Sequence, residues 1–137
     1  MTLILRVGLA AFAAIELVLG IWTALFPRSF YNDVPTVNLT PPYSEHLMRD
    51  FGLATLALAV VLGAAAIWPT TKFAIVALIA YLVFALPHLV FHAEHVDRAT
   101  GVEAVVLLSL LGASVIGPLV LIAIAIGRAR SNRSAPQ

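Results

Sequence analysis

The sequence contains no cysteine and few charged residues, and each shortage excludes a class of protein. Without cysteine, the chain forms no disulfide, no thiolate metal site and no cysteine nucleophile. Asp, Glu, Lys and Arg make up only 11% of the 137 residues, whereas a soluble domain has about 25% charged residues. The net charge of +1 gives no indication of nucleic-acid binding. The sequence also lacks a nucleotide-binding loop, a GxSxG elbow and an HExxH motif.

Hydrophobic residues make up 61% of the chain and are gathered into long apolar stretches. A helix needs roughly 20 apolar residues to cross the hydrocarbon core of a bilayer. We therefore predict four transmembrane helices, whose approximate ranges are Leu3–Phe26, Ser44–Ile67, Lys72–Glu94 and Gly101–Gly127. The first stretch exceeds the apolar core of about 7–15 residues in a signal peptide, so we expect it to be retained as a span.

The predicted fold is an all-α integral membrane bundle of four helices. Residues 1–127 form its single domain, and residues 128–137 form a polar cytoplasmic tail that we expect to be frayed. The one long loop, Pro27–Tyr43, contains several prolines and is predicted to be irregular rather than a strand. Thr100–Glu103 has the spacing of a capping box, and Thr40–Pro41 places a proline just after a capping residue. Two prolines inside the spans should bend their helices: Pro87 and Pro118.

The distribution of basic residues predicts the orientation of the bundle. Short cytoplasmic loops carry an excess of Lys and Arg. With both termini in the cytoplasm, five basic residues lie inside, namely Arg6, Lys72, Arg128, Arg130 and Arg133. Three lie outside, namely Arg28, Arg49 and Arg98. This orientation places the long loop and every histidine at the outer face.

Three histidines of the third span have a spacing that places them on one helical face. His88, His92 and His95 are separated by four and three residues, and Tyr81 continues the same stripe inward. Imidazole together with carboxylate suits zinc, iron or copper. Three histidines at a helix end are equally suited to a polar cap at the membrane interface. Both interpretations stay open.

The start of the second span carries four ionisable residues within one and a half turns. Glu45 can pair with Arg49, and His46 can pair with Asp50, because residues four apart are neighbours on a helix. Such pairs are common as structural ion pairs. A carboxylate below the interface needs a partner, however, and that partner could be a bound ligand. The structural and functional interpretations both remain.

Glu16 is the acid that lies deepest in the predicted bilayer. It falls roughly 15 Å below the outer end of the first span, near the middle of the hydrocarbon. Gly20 and Thr23 lie above it on the same face, and Ser109 of the fourth span is about 12 Å down. We expect these groups, together with Arg49, Asp50 and His88 at roughly 6–9 Å below the outer helix ends, to line a polar pocket open to the outside, over which the long loop folds. Glu16 then either carries a proton or is a neutral acid bonded to a neighbouring helix.

Residues 26–35, 42–52 and 87–95 together resemble a group of uncharacterised small four-helix membrane proteins of actinobacteria and related bacteria, broadly DoxX-like. The Glu-His-Leu-x-Arg-Asp and Pro-His-Leu-x-x-His motifs carry the resemblance, which covers nearly the whole chain. Where the group often has Asn, this chain has Ser44. The resemblance implies a multi-pass protein of the bacterial plasma membrane with a pocket. DoxX-like proteins are linked to membrane redox partnerships, and distant relatives include lipid-modifying enzymes, so no single reaction is implied.

Three classes of function follow from this pattern. The first is a metal- or cofactor-dependent membrane enzyme that acts on a lipophilic substrate such as a quinone or a lipid. The second is a module that binds or transports a small molecule, metal or proton. The third is a non-catalytic accessory subunit of a membrane complex. The expected partners are the bilayer, a lipophilic small molecule and a homo-oligomer or membrane complex, without nucleic acid.

Each candidate residue has a role in the enzymatic interpretation, and the cofactor itself is unknown beyond iron, copper or zinc. The candidate catalytic residues are Glu16, Asp50 and His88. The candidate metal ligands are His88, His92 and His95. The candidate substrate-binding residues are Glu45, His46, Arg49 and Tyr81.

Overall fold

The computed structural model describes residues 3–39, 42–68 and 70–134, and within them the chain is helical and contains no strand. Its elements are α1 (Leu3–Leu25), α2 (Pro27–Asp33), a 3-10 turn (Val37–Leu39), α3 (Glu45–Ile67), α4 (Thr71–Glu94) and α5 (Gly101–Ser134). Among the described residues, α1, α3, α4 and the Gly101–Ser131 part of α5 are long and apolar enough to cross a membrane. The predicted all-α bundle of four spans is therefore confirmed.

Capping side chains explain where the long helices begin. The Ser44 hydroxyl accepts a bond from the Leu47 backbone nitrogen before α3. Before α5, the Thr100 nitrogen donates to Glu103 Oε2 at 2.8 Å, and the Glu103 nitrogen donates to Thr100 Oγ1 at 3.3 Å. This reciprocal pair confirms the predicted capping box. The other predicted cap, Thr40–Pro41, lies outside the described residues.

The structure differs from the sequence prediction in the long loop and in the tail. The loop begins with α2, whose first residue is Pro27, a position where the missing proline N–H leaves no helical bond unmade. The fourth span continues as helix beyond Gly127 to Ser134. The predictions of an irregular segment at 27–33 and of a frayed tail at 128–134 were therefore wrong. Arginine is a good helix former, so loss of hydrophobicity alone does not end a helix.

The loop lies across the end of the bundle that holds the start of α3 and of α5, which we call the outer end after the predicted orientation. Phe30 of α2 is buried and meets the Trp22 ring edge-on, with centroids 5.7 Å apart. At the other end of the loop, Arg98 Nη1 donates to the Leu39 carbonyl oxygen at 3.4 Å. The loop thus joins α1 to the connection between α4 and α5. That it covers the mouth of a pocket stays a prediction.

Two glycines bring α1 and α3 into direct contact, and this pair of helices has the most extensive interface in the bundle. A Cβ atom on Gly52 would lie 2.5 Å from the Ala24 backbone nitrogen. A Cβ atom on Gly20 would lie 3.0 Å from the Gly52 carbonyl oxygen. Neither position has room for a side chain, because both obstacles are backbone atoms. Small residues are the usual means of close approach between membrane helices.

The other helices close the bundle at its inner end, which holds the start of α1 and of α4. Gly8 lies against Leu121, and Gly117 lies against the Phe12 ring, so both contacts join the inner half of α1 to α5. The buried apolar core lies in the same half and includes Leu5, Leu9, Leu62, Ala65, Ala74, Ala77, Leu78, Leu121 and Ala125.

The outer halves of α4 and α5 are packed less closely than their inner halves. No described residue of α4 after Ala85, and none of α5 before Val115, is buried. On α1 and α3, by contrast, buried positions continue to the outer end, at Ala24 and Met48. The bundle therefore combines a tightly packed inner half with an outer half in which α4 and α5 are only partly covered.

We expect Gly52→Ala to destabilise the bundle by about 1–3 kcal/mol, which is the usual cost of adding a methyl group to a filled site. The measurement is the free energy of unfolding in mixed micelles during titration with a denaturing detergent. Gly112→Ala is the matched control, because a Cβ atom there has no neighbour within 4 Å. Equal stability of the two variants would show that α1 and α3 do not depend on this close approach.

Candidate functional site

A chain of polar side chains crosses the middle of the bundle. Glu16 of α1 is only 4% exposed, and Tyr81 of α4 is 3% exposed. The Tyr81 hydroxyl faces the Glu16 carboxyl group and also faces Ser114 of α5. We call these three residues the polar network. It joins α1, α4 and α5 at one level of the bundle. In the middle of a membrane, lipid hydrocarbon would offer these polar groups no hydrogen-bond partner.

Aromatic packing closes the polar network on its inner side. The Phe12 ring lies against Tyr81, with centroids 5.2 Å apart and planes tilted by 55°. Phe12 in turn fits over Gly117. Below this level the bundle is filled by the apolar core described above, which includes Leu9 and Leu78. Access to the network from the inner side would therefore require this packing to open.

The polar network can be satisfied in two arrangements. If Glu16 is ionised, the Tyr81 hydroxyl donates to its carboxylate, and the Ser114 hydroxyl donates to the Tyr81 oxygen. If Glu16 is neutral, its O–H donates to Tyr81 and the Tyr81 hydroxyl donates to Ser114. The second arrangement needs a final acceptor, and the Leu111 carbonyl oxygen lies 2.7 Å from Ser114 Oγ. Both protonation states of the carboxyl group thus have a complete set of partners.

The histidines of α4 form a column with aromatic rings. His88 stacks on Phe84 at 5.0 Å, and Phe51 of α3 packs against Phe84 at 5.7 Å. The His88 and His92 rings meet edge-on, with centroids 4.7 Å apart. The structure thus brings two of the three predicted metal ligands together on the face that holds Tyr81.

The His95 ring packs on Phe91 rather than on the rings of His88 or His92. The centroids of the His95 and Phe91 rings are 4.2 Å apart, and His95 Nδ1 lies 2.7 Å from the Phe91 carbonyl oxygen. Across residues 3–39, 42–68 and 70–134, no group of three or more His, Asp or Glu side chains is arranged to hold a metal ion. The predicted metal site, with His88, His92 and His95 as its ligands, stays a prediction that requires the side chain of His95 to move.

The ionisable residues of α3 form two pairs at the surface. Arg49 donates to Glu45 at 2.8 Å, and His46 Nε2 lies 3.3 Å from Asp50 Oδ2. Arg49 Nη1 also donates to the Ala24 carbonyl oxygen at 2.6 Å. Carbonyl groups at the C-terminal end of a helix have no partner within the helix, and Arg49 supplies one here. Both predicted pairs are present. All four side chains are exposed, so the structure does not place Arg49 or Asp50 in one buried site with Glu16.

Ser114 is the member of the network that the sequence prediction missed. The residue named instead, Ser109, is exposed on a shallow groove of α5 that also includes Gly112 and Ala113. Depth compared with Tyr81, rather than with Glu16, identifies Ser114. Tyr81 and Ser114 are the same number of residues from the outer ends of α4 and α5, at roughly 20 Å by helical rise.

Comparison of the chain with known protein families, characterised proteins and solved structures gives no match. The resemblance to small DoxX-like membrane proteins therefore stays a prediction. The polar network and the packing around it are the features that bear on function.

We expect Ser114→Ala to lower the free energy of unfolding by about 0.6 kcal/mol, and by at most about 1.7 kcal/mol, the range measured for hydrogen bonds between membrane helices. The loss arises because the Tyr81 hydroxyl loses a partner while it stays buried. Ser109→Ala is the matched control on the same helix and should leave stability unchanged. Equal effects of the two substitutions would contradict a network that includes Ser114.

Proposed function

We propose that this protein is a membrane-embedded binding module in which Glu16 takes up and releases a proton as a lipophilic small molecule binds. The supporting observation is the position of Glu16, which is buried in the middle of a span with its carboxyl group facing Tyr81. A carboxyl group in the hydrocarbon is costly, and proteins use such groups for proton relays and ion pathways. A purely structural polar contact could be made by a neutral side chain at lower cost.

The two arrangements of the polar network support a role in proton exchange. Because hydroxyl groups both donate and accept, Tyr81 and Ser114 can reverse the direction of their bonds when the proton on Glu16 comes or goes. The Leu111 carbonyl provides the acceptor that the neutral arrangement needs. Neither protonation state leaves a buried group unpaired, so exchange would not require the bundle to unfold.

The uneven packing of the bundle supports access from the outer half. The close contacts of α1 with α5 are made by Gly8 and Phe12, both below Glu16 along α1. Above this level, α5 buries no described residue before Val115. A ligand that enters from the outer leaflet would pass between these helices and meet Glu16 and Ser114. Its chemistry would be an apolar body with a hydrogen-bonding head, as in a quinone or a lipid.

The experiment is infrared difference spectroscopy of reconstituted protein with and without a short-chain quinone. Binding should change the carboxyl C=O band of Glu16, because the ligand alters its bonding or protonation. Glu16→Gln should abolish that change, whereas Glu45→Gln should retain it, since Glu45 is an exposed carboxylate outside the network. A carboxyl band that responds equally in Glu16→Gln would overturn the proposal.

A second candidate is metal-dependent chemistry at the outer end of α4, which the adjacency of His88 and His92 favours. In this interpretation the two imidazoles are ligands or bases, and a third ligand comes from His95 after rotation of its side chain. Such a centre would make the protein an enzyme that acts on the same class of lipophilic substrate, with Glu16 and Asp50 handling protons.

Elemental analysis of protein purified without a histidine tag tests this second candidate. We expect near-stoichiometric iron, copper or zinc in the native chain and its loss in His92→Ala, because a ligand is removed. His46→Ala is the control, since His46 pairs with Asp50 on a different helix. Metal that persists in His92→Ala, or that is absent from the native protein, would reject the assignment.

A further inference from the structure

The inner end of the bundle carries basic residues and no acidic residue. The chain has seven acids, and none of them falls in residues 1–15, 51–93 or 104–137, the segments that contain the inner half of every span. Those segments hold five of the eight basic residues: Arg6, Lys72, Arg128, Arg130 and Arg133. No carboxylate side chain of the protein is therefore positioned to neutralise this end.

The fold brings Arg6, Lys72 and Arg128 to the same end of the bundle. Arg6 Nε donates to the Ala66 carbonyl oxygen at 3.2 Å, which fixes the second turn of α1 beside the end of α3. Lys72 lies in the first turn of α4, and its side chain is exposed. The contact of Gly8 with Leu121 brings the end of α5 to the same side. The positive charges thus belong to one surface rather than to separate parts of the chain.

The helical end of α5 holds Arg128 at the depth of the lipid headgroups. The apolar part of α5 runs from Ala104 to Ile126, and by helical rise it spans roughly the thickness of the hydrocarbon. Arg128 follows immediately and is exposed, on a helix that continues to Ser134. Trp68 marks the same boundary at the end of α3 and is 65% exposed, as is usual for tryptophan at a membrane interface.

We infer that this surface, formed by Arg6, Lys72 and Arg128, binds the phosphate groups of anionic phospholipids. Like charges gathered at one end of a bundle repel one another unless counter-ions neutralise them, and the segments that contain this end hold no Asp or Glu. Guanidinium groups bind phosphate through two parallel hydrogen bonds, which makes arginine well suited to this partner. Basic residues beside a span attract anionic lipid headgroups for the same reason. The inference does not depend on the proton-exchange function proposed for Glu16.

Fluorescence quenching of Trp68 tests this inference in vesicles of phosphatidylglycerol and phosphatidylcholine. Trp22→Phe leaves Trp68 as the single tryptophan. Bromine is placed near the headgroup end of the acyl chains, on either lipid in turn, at a constant mole fraction. We expect brominated phosphatidylglycerol to quench Trp68 more strongly, because the surface enriches it, by a factor of up to roughly fivefold for each basic residue in contact.

Paired charge variants distinguish this site from general membrane electrostatics. Lys72→Gln/Arg128→Gln should reduce the preference for phosphatidylglycerol towards equality. Arg28→Gln/Arg98→Gln removes the same charge from the outer end and should leave the preference unchanged. Equal quenching by the two brominated lipids in Trp22→Phe, or an equal loss of preference in both charge variants, would overturn the inference.

A second measurement guards against an effect of Trp22→Phe on folding, since Trp22 Nε1 donates to Ser29 Oγ at 3.0 Å. The unaltered protein is released from micelles that contain equal amounts of both lipids. Native mass spectrometry then counts the lipid molecules of each kind that stay bound to the protein. We expect phosphatidylglycerol to be retained in excess, and in smaller excess by Lys72→Gln/Arg128→Gln. Retention of both lipids in equal amounts would also reject the site.

Discussion

The close contact of α1 with α3 is the constraint on which the rest of the bundle depends. Gly20 and Gly52 allow backbone to meet backbone, and Arg49 supplies a hydrogen bond to the Ala24 carbonyl at the end of α1. Since this pair is fixed along its whole length, the face of α1 that carries Glu16 is fixed as well. α4 and α5 then close over that face at the inner half, where leucine and alanine side chains fill the core.

This geometry resolves the conflict between a carboxyl group and a hydrocarbon environment. Glu16 is not neutralised by an arginine or a lysine, because no basic residue lies at its level in the spans. Its carboxyl group faces Tyr81 instead; Tyr81 also faces Ser114, whose hydroxyl donates to the Leu111 carbonyl oxygen. An uncharged set of partners can serve either protonation state, whereas a cation at the same position would hold the carboxylate ionised. The uncharged partners of Glu16 therefore allow its carboxyl group to be either ionised or neutral.

The parts of this structure that follow from local patterns could be predicted from the sequence, and those that depend on packing could not. The four spans, the capping box at Thr100 and the i, i+4 pairs of α3 each follow from a few neighbouring residues, and they are confirmed. The orientation of His95 depends instead on a contact with Phe91, and the choice of Ser114 over Ser109 depends on which face of α5 meets α4. The helix at residues 128–134 was not predicted, because the polar side chains of this segment were expected to end the helix.

The uneven burial along α4 and α5 also gives the bundle a gradient of local stability. The free energy needed to open a segment rises with the number of its buried contacts. Segments beyond Ala85 in α4 and before Val115 in α5 bury no described side chain, so they should separate from their neighbours at lower cost than the inner half. The outer part of this helical hairpin can then move while its base stays anchored. Such motion would alter the surroundings of Tyr81 and Ser114 without disturbing the core beneath them.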